Sequence, residues 1–324
     1  MDATSSPRDI PFQDVLDALV DKDTPQSPRY MYCLSDLDGE DLAEMKKIWP
    51  RIPIWRRQAL LEDMEQVCAV NFLISFESVC RIGLEDSNPH VRFLAIRSLF
   101  EYEVYDLIPV FVNILETDED DELRALAATA LGKYVLYGEI DELSPNTLRE
   151  IEECLLRAAQ GPEIPLVRRC AVEALGYSSH GEVPALIEAA FTTDDSDWIA
   201  SALLAMGRSC EKRWHSNVIS MLDHLLPDIR CEAARAAGEL EISDATAQLM
   251  EMLDDDNDDV RMAVVWSLAQ IGGEGVQAAL DMLLDETESD DEAEFIESAL
   301  DHLIFYKGLD KPDIMGFPED GEAF

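Results

Sequence analysis

From Val260 the apolar or small positions fall at Ala263, Val264, Ser267, Leu268 and Ile271, offsets of 3, 4, 7, 8 and 11. That spacing places them on a single stripe of a helix. Gly272 and Gly273 then stop the helix, because glycine takes left-handed backbone angles without a Cβ clash. After Gly275 a second stripe runs through Val276, Ala279, Leu280, Leu283 and Leu284. The pattern predicts two short amphipathic helices joined by a tight turn. One such hairpin cannot bury both of its stripes, so each unit needs neighbours on either side.

The neighbours recur in phase. Positions equivalent to Val260 are Val91, Leu123, Val167, Trp198, Ile229 and Glu292, with successive gaps of 32, 44, 31, 31, 31 and 32 residues. A small residue follows each marker by seven positions, usually with leucine next. A basic residue follows directly as Arg92, Arg124, Arg168, Arg230 and Arg261. The pairs Leu131-Gly132, Leu175-Gly176, Met206-Gly207 and Ala237-Gly238 recur at the same register.

An acidic turn, then V-R-x-x-A-x-x-A-L-G, then an apolar second helix resembles the short HEAT repeats called PBS-lyase HEAT-like, over residues 84–304. The 31-residue period is shorter than the ~40–47 of ordinary HEAT repeats. The T-P-L-H of ankyrin and the spacing of TPR repeats are missing. The resemblance implies an all-α fold, a right-handed α-solenoid of stacked helical hairpins with about seven repeats. It also implies a surface used for binding.

Around that array the expected organisation is a partly disordered N-terminal arm (1–30), a helical cap (31–71), the repeats (72–306) and a flexible tail (307–324). A short helix is expected near 10–20, and cap helices near 39–49 and 53–69, separated by Pro50 and Pro53. The first repeat is entered by a helix over Phe72–Leu84, and Asn88-Pro89 supplies an N-cap with proline at the first helical position. The 44-residue gap places a longer loop around Gly138–Asn146, followed by a helix from Pro145 to Ala159.

Charge narrows the partners. The chain has 68 acidic and 25 basic residues, a formal charge of −43. Such a surface repels phosphates and anionic lipid heads, so neither nucleic acid nor membrane is expected as a partner. No apolar run approaches the ~18–20 residues of a membrane span. The first ten residues lack a charged-then-apolar targeting pattern. Seven cysteines without a C-x-x-C pair read as core thiols, and the expected location is cytoplasmic.

Two stretches depart from the acidic background. Met45–Leu61 holds Lys46, Lys47, Arg51, Arg56 and Arg57 without an acid, together with Trp49 and Trp55. At the middle of the stack, Trp198-Ile199 replaces Val-Arg and the turn carries Arg208, Lys212, Arg213 and Trp214. Tryptophan and arginine dominate interface hot spots, so both clusters are candidate docking patches. Equally, the tryptophans can fill local cores under arginine stems. Conversely, Met262–Tyr306 has eleven acids and no Lys or Arg. A basic cap meeting that acidic end of another molecule would give self-association that salt dissolves.

Reactive constellations are sparse. The in-phase arginines could line an anion site, or pair with aspartates ahead of each helix such as Asp86, Asp121 and Asp259. The His-Glu dipeptides of iron-dependent HEAT hydroxylases are missing, and a basic DNA groove conflicts with the charge. Asp254-x-Asp256-x-Asp258 resembles a calcium loop, but Asp259 and Val265 stand where Gly and Glu are needed. No H-E-x-x-H, G-x-S-x-G or phosphate-binding glycine loop occurs. No cofactor, metal or catalytic residue is therefore expected. The chain reads as a non-catalytic scaffold or adaptor for another protein, with Trp49, Trp55, Arg56, Arg57, Arg208, Lys212, Arg213 and Trp214 as candidate anchors. The alternative implied by the family resemblance is a bilin-lyase-like enzyme acting on a partner protein.

Overall fold

The computed structural model describes residues 10–23, 27–71 and 73–309. Among them every regular element is a helix and no strand occurs. The chain divides between Ala174 and Leu175 into two compact units. In each, helical hairpins stack as the all-α solenoid anticipated from the periodicity.

The first unit opens with α1 (Phe12–Val20), α2 (Pro28–Cys33), α3 (Gly39–Ile48) and α4 (Ile54–Val70). Val15, Leu16 and Leu19 lie on one face of α1 and are buried, and the helix packs on α2 and α3. The helix expected near 10–20 is present as α1, while residues 1–9 and 24–26 lie outside the described residues. Three helix pairs follow: α5 (Glu77–Gly83) with α6 (Pro89–Leu99), α7 (Ile108–Thr117) with α8 (Asp121–Glu139), and α9 (Pro145–Gln160) with α10 (Pro165–Leu175). α5 starts later than the expected Phe72, which itself lies outside the described residues.

The long loop expected at Gly138–Asn146 does not form. Instead α8 runs for 19 residues, because Leu131, Tyr134 and Val135 continue its buried stripe past Gly132. Asp141 (φ +65°) then turns the chain sharply into α9.

The second unit holds α11 (Val183–Phe191), α12 (Ser196–Arg208), α13 (His215–Met221), α14 (Pro227–Glu239), α15 (Thr246–Glu251), α16 (Asp258–Ile271), α17 (Val276–Glu286) and α18 (Asp290–Leu309). Residues 307–309 of the expected tail are helical, and 310–324 lie outside the described residues. The helices that carry the markers stack in series, α12 on α14, α14 on α16 and α16 on α18.

The recurring glycine is the point of closest approach between successive marker helices. A Cβ built on Gly132 would lie 3.1 Å from Ala174 Cα, on Gly176 2.8 Å from Ala205 Cα, on Gly207 3.1 Å from Ala236 Cα, and on Gly238 2.9 Å from Ser267 Cα. The partner is each time the small residue seven positions after the next marker. Hydrogen at one position and a methyl or hydroxymethyl at the other let the backbones meet. Ser267 Oγ adds a cross-helix bond to Ala234 O (2.6 Å). Gly272 (φ +67°) is the C-cap of α16, and Gly273 (φ +120°) follows it in the turn.

A second device joins successive hairpins. The turn before a marker helix begins with an aspartate whose carboxylate accepts the N–H two residues on: Asn88 to Asp86 (2.8 Å), Asp120 to Asp118 (3.0 Å) and Asn257 to Asp255 (3.0 Å). The third residue caps the helix. The ladder arginine of that helix reaches back to the aspartate's carbonyl, as Arg92 to Asp86 O (3.0 Å), Arg124 to Asp118 O (2.8 Å) and Arg261 to Asp255 O (2.9 Å). Its other nitrogens reach forward to an acid of the next hairpin. Arg92 grips Asp118 at 2.9 and 3.0 Å, Arg124 meets Glu163 at 3.0 Å, and Arg230 grips Asp255 at 2.7 and 2.8 Å. Pairing with an acid at the start of the same helix, one of the two readings, also occurs, as Arg124 to Asp121 (2.5 Å) and Arg261 to Asp258 (2.8 Å), whereas Arg92 and Arg230 take their acid one hairpin onward.

This arrangement has a pH signature. The Arg230 guanidinium holds the Asp255 carboxyl below its ordinary value by hydrogen bonding, against the opposing effect of burial. A carboxyl depressed in the fold stabilises it above the unfolded-state value of about 3.9 and loses that contribution as pH falls through the folded value. Urea midpoints should therefore drop on going from about pH 5 to about pH 3. Asp255→Asn should show a shallower drop than wild type over that interval. An unchanged slope in Asp255→Asn would mean that Asp255 does not contribute.

Candidate binding surface

The cap cluster is split between interior and surface. Trp49 is only 4% exposed, and its Nε1–H donates to Asp86 Oδ2 at 2.7 Å. Arg57 (7% exposed) forms an ion pair with the same Asp86 oxygen. Arg57 is thus the first rung of the arginine ladder, supplied by a cap helix that lacks the repeat pattern. Arg56, also buried, donates to Ala18 O at 2.6 Å and lies 4.8 Å from the Trp55 ring centroid. Its role is to tie α1 to α4. Of the four, Trp55 alone is open to solvent, at 54% exposure.

The mid-stack cluster divides likewise. Lys212–Trp214 forms a single 3-10 turn ahead of α13, and Trp214 is buried at its end. Arg208 stacks over Tyr177, with its guanidinium 4.9 Å from the ring centroid. Lys212 and Arg213 are exposed, and Arg213 pairs with Glu211 at 2.5 Å. Docking roles for Trp49, Arg56, Arg57 and Trp214 do not suit this conformation, since burial withholds their side chains from a partner. Trp55, Lys212 and Arg213 are presented to solvent.

A cavity of about 350 Å³ opens on the marker helices of the second unit. Leu204 of α12, Ala236 of α14, Met262 and Trp266 of α16 and Phe295 of α18 line it, with Glu232, Arg235 and Glu239 along α14. Gly238 makes room for the indole: a Cβ there would lie 2.6 Å from Trp266 Cζ3. Phe295 is an exposed aromatic on a helix otherwise crowded with acids. These residues were not singled out from the sequence. The available signal was that Met262 and Trp266 are large apolar residues lying off the buried stripe of their helix.

Elsewhere the chemistry is quiet. Burial pushes the Cys80 thiol up to about 12 and Cys154 to about 11, far from thiolate formation at neutral pH. Among the described residues, no group of three His, Cys, Asp or Glu converges as a metal site. No described helix is long and apolar enough to cross a membrane.

The model of the HEAT repeats family matches residues 108–207 and 216–301, more than half of the chain. No curated protein matches the sequence. Among solved structures, the chain is similar to YibA of Escherichia coli at 15% identity and a TM-score of 0.45, over 87% of this chain and 99% of that one. It is similar to the CpcE–CpcF complex of phycocyanin lyase from Nostoc sp. PCC7120 at 20% identity and 0.46, over 70% and 94%. It is also similar to human deoxyhypusine hydroxylase at 17% identity and 0.36, over 92% and 97%. At such scores nothing about what this chain binds or does follows from them. The family match, the 31-residue register and the stacked hairpins agree, and the chain belongs to the HEAT-repeat proteins.

Proposed function

We propose that the chain is a non-catalytic scaffold that holds another protein, and that the open apolar groove of the second unit is where it does so. The observation that carries this reading is the groove itself. Solvent-open Phe295, with Met262 and Trp266, forms an aromatic and thioether surface on helices whose backbones are fixed by tight packing. Large apolar side chains on a rigid support are what interface hot spots are made of. Trp55, Lys212 and Arg213 are secondary contact points on the same reading. A charge of −43 favours a protein partner over nucleic acid or an anionic membrane.

The test is quantitative capture by the full-length chain from an extract of its own source. A specific partner should be recovered near 1:1, and recovery should fall at least about tenfold, the scale of a hot-spot loss, with Met262→Ser or Phe295→Ser. Far-UV circular dichroism should be unchanged in both variants. Capture indifferent to both substitutions would remove the groove from the account. A coloured adduct on co-expression with a tetrapyrrole supply would replace the scaffold with the lyase alternative.

A further inference from the structure

The groove also carries information on what kind of segment fills it, an inference that rests on the scaffold reading. Its lining is apolar, but its surroundings are strongly of one sign. Arg235 is already taken by Glu232 at 2.6 Å. Glu239 is exposed on the next turn and makes no ion pair among the described residues. On α18, Asp290, Asp291, Glu294, Glu297 and Asp301 are all exposed and make no ion pair among the described residues. Asp291 sits one turn ahead of Phe295 on the same helical face. From Met262 to Tyr306 the sequence offers no Lys or Arg against eleven acids.

Size and sign together select the occupant. A cavity of about 350 Å³ is at the lower limit for a small-molecule site, and suits one or two large side chains of a docked segment. The acids around it gain only from positive charge, since like charges brought close cost free energy. Residues 310–324 of this chain carry five acids and a single lysine, the wrong sign for the groove. A second whole copy would bring a formal charge of −43 with it. We infer that the groove binds a cationic amphipathic segment of a partner protein. One or two large apolar side chains rest on Trp266, Met262 and Phe295, and flanking Lys or Arg meet Glu239 and Asp291.

The test uses fluorescence anisotropy with the full-length chain and three synthetic peptides of about 18 residues, roughly five helical turns. The first is built from Leu and Lys with leucines on one helical face. The second has the same composition scrambled so that no face is apolar. The third replaces every Lys by Glu. The first should bind at least about tenfold more tightly than the second, with affinity falling as salt rises, and the third should not bind. Phe295→Ser and Glu239→Lys should each weaken the first peptide several-fold with unchanged urea midpoints. Equal binding of the scrambled peptide, or indifference to both variants, would overturn the inference in favour of diffuse attraction to the surface. Sedimentation showing self-association that Trp55→Ala abolishes would overturn it in favour of a second copy's cap. If capture finds a Phe295-dependent partner while the cationic peptide does not bind, the scaffold stands and the cationic chemistry falls. If both experiments fail, both fall.

Discussion

Asp86→Ala should destabilise the fold by about 3–5 kcal/mol, the cost of stranding a buried charge when its partner is removed. Asp86 is 4% exposed and sits where the cap meets the first repeat. One of its oxygens receives the Arg57 guanidinium and the Trp49 indole N–H, and the other receives the Asn88 amide N–H. Truncation would leave all three donors without that acceptor, and Arg57 is too enclosed to be rehydrated cheaply. The loss should therefore exceed anything expected from the exposed ion pairs of the chain, which are worth about 0–1 kcal/mol each. Removing both charges is the control. Asp86→Ala combined with Arg57→Met should recover much of the loss, because a matched apolar replacement of a buried pair is often tolerated. Urea unfolding of the wild type, the two single variants and the double variant reads this out. A double variant as unstable as the sum of its singles would mean that Arg57 and Asp86 act independently.

Gly238→Ala should be damaging for so conservative a substitution, at about 1–3 kcal/mol from overpacking. In an ordinary helix the same change would gain up to about 1 kcal/mol of propensity. Here the added methyl would lie 2.6 Å from Trp266 Cζ3, 2.8 Å from Ser267 Oγ and 2.9 Å from Ser267 Cα. The last contact is to backbone, so rotation of a side chain cannot relieve it. Either α14 and α16 move apart, or the Ser267 bond to Ala234 O is lost. Gly181→Ala makes a fair comparison, since nothing lies within 4 Å of a Cβ built there. A urea midpoint for Gly238→Ala at or above that of wild type would mean that the two helices are not in the contact described. The substitution should also disturb the groove, because Trp266 is one of its walls.

The repeat was legible in the sequence because its physics is local and periodic. Markers, small residues and glycines at fixed offsets reproduce themselves in the stack, down to the glycine of one helix meeting the small residue of the next. What was not legible is decided by tertiary pairing. The loop expected around Gly138–Asn146 gives way to a longer α8, which passes through Gly132, where glycine serves close approach to Ala174. Arg57 and Trp49 stood out as a basic, aromatic anomaly suited to docking, whereas their common partner, Asp86, lies 29 and 37 residues further on. The clue was the likeness of Asp86-Ser-Asn88 to Asp255-Asp-Asn257, each of which takes an arginine from the preceding hairpin. The groove escaped notice because it belongs to four helices at once, and only the off-stripe placement of Met262 and Trp266 hints at it.

Binding by such a chain is a property of surfaces held in register, and that register is tested most directly by a double-mutant cycle on Arg230 and Asp255. The two side chains belong to successive hairpins and meet through two hydrogen bonds, at 2.7 and 2.8 Å. Stabilities of the wild type, Arg230→Ala, Asp255→Ala and the double variant should give a coupling of about 1 kcal/mol, within the range found for residues in contact. Single losses that simply add, to within about 0.3 kcal/mol, would place the hairpins out of the register described and would take the groove with them.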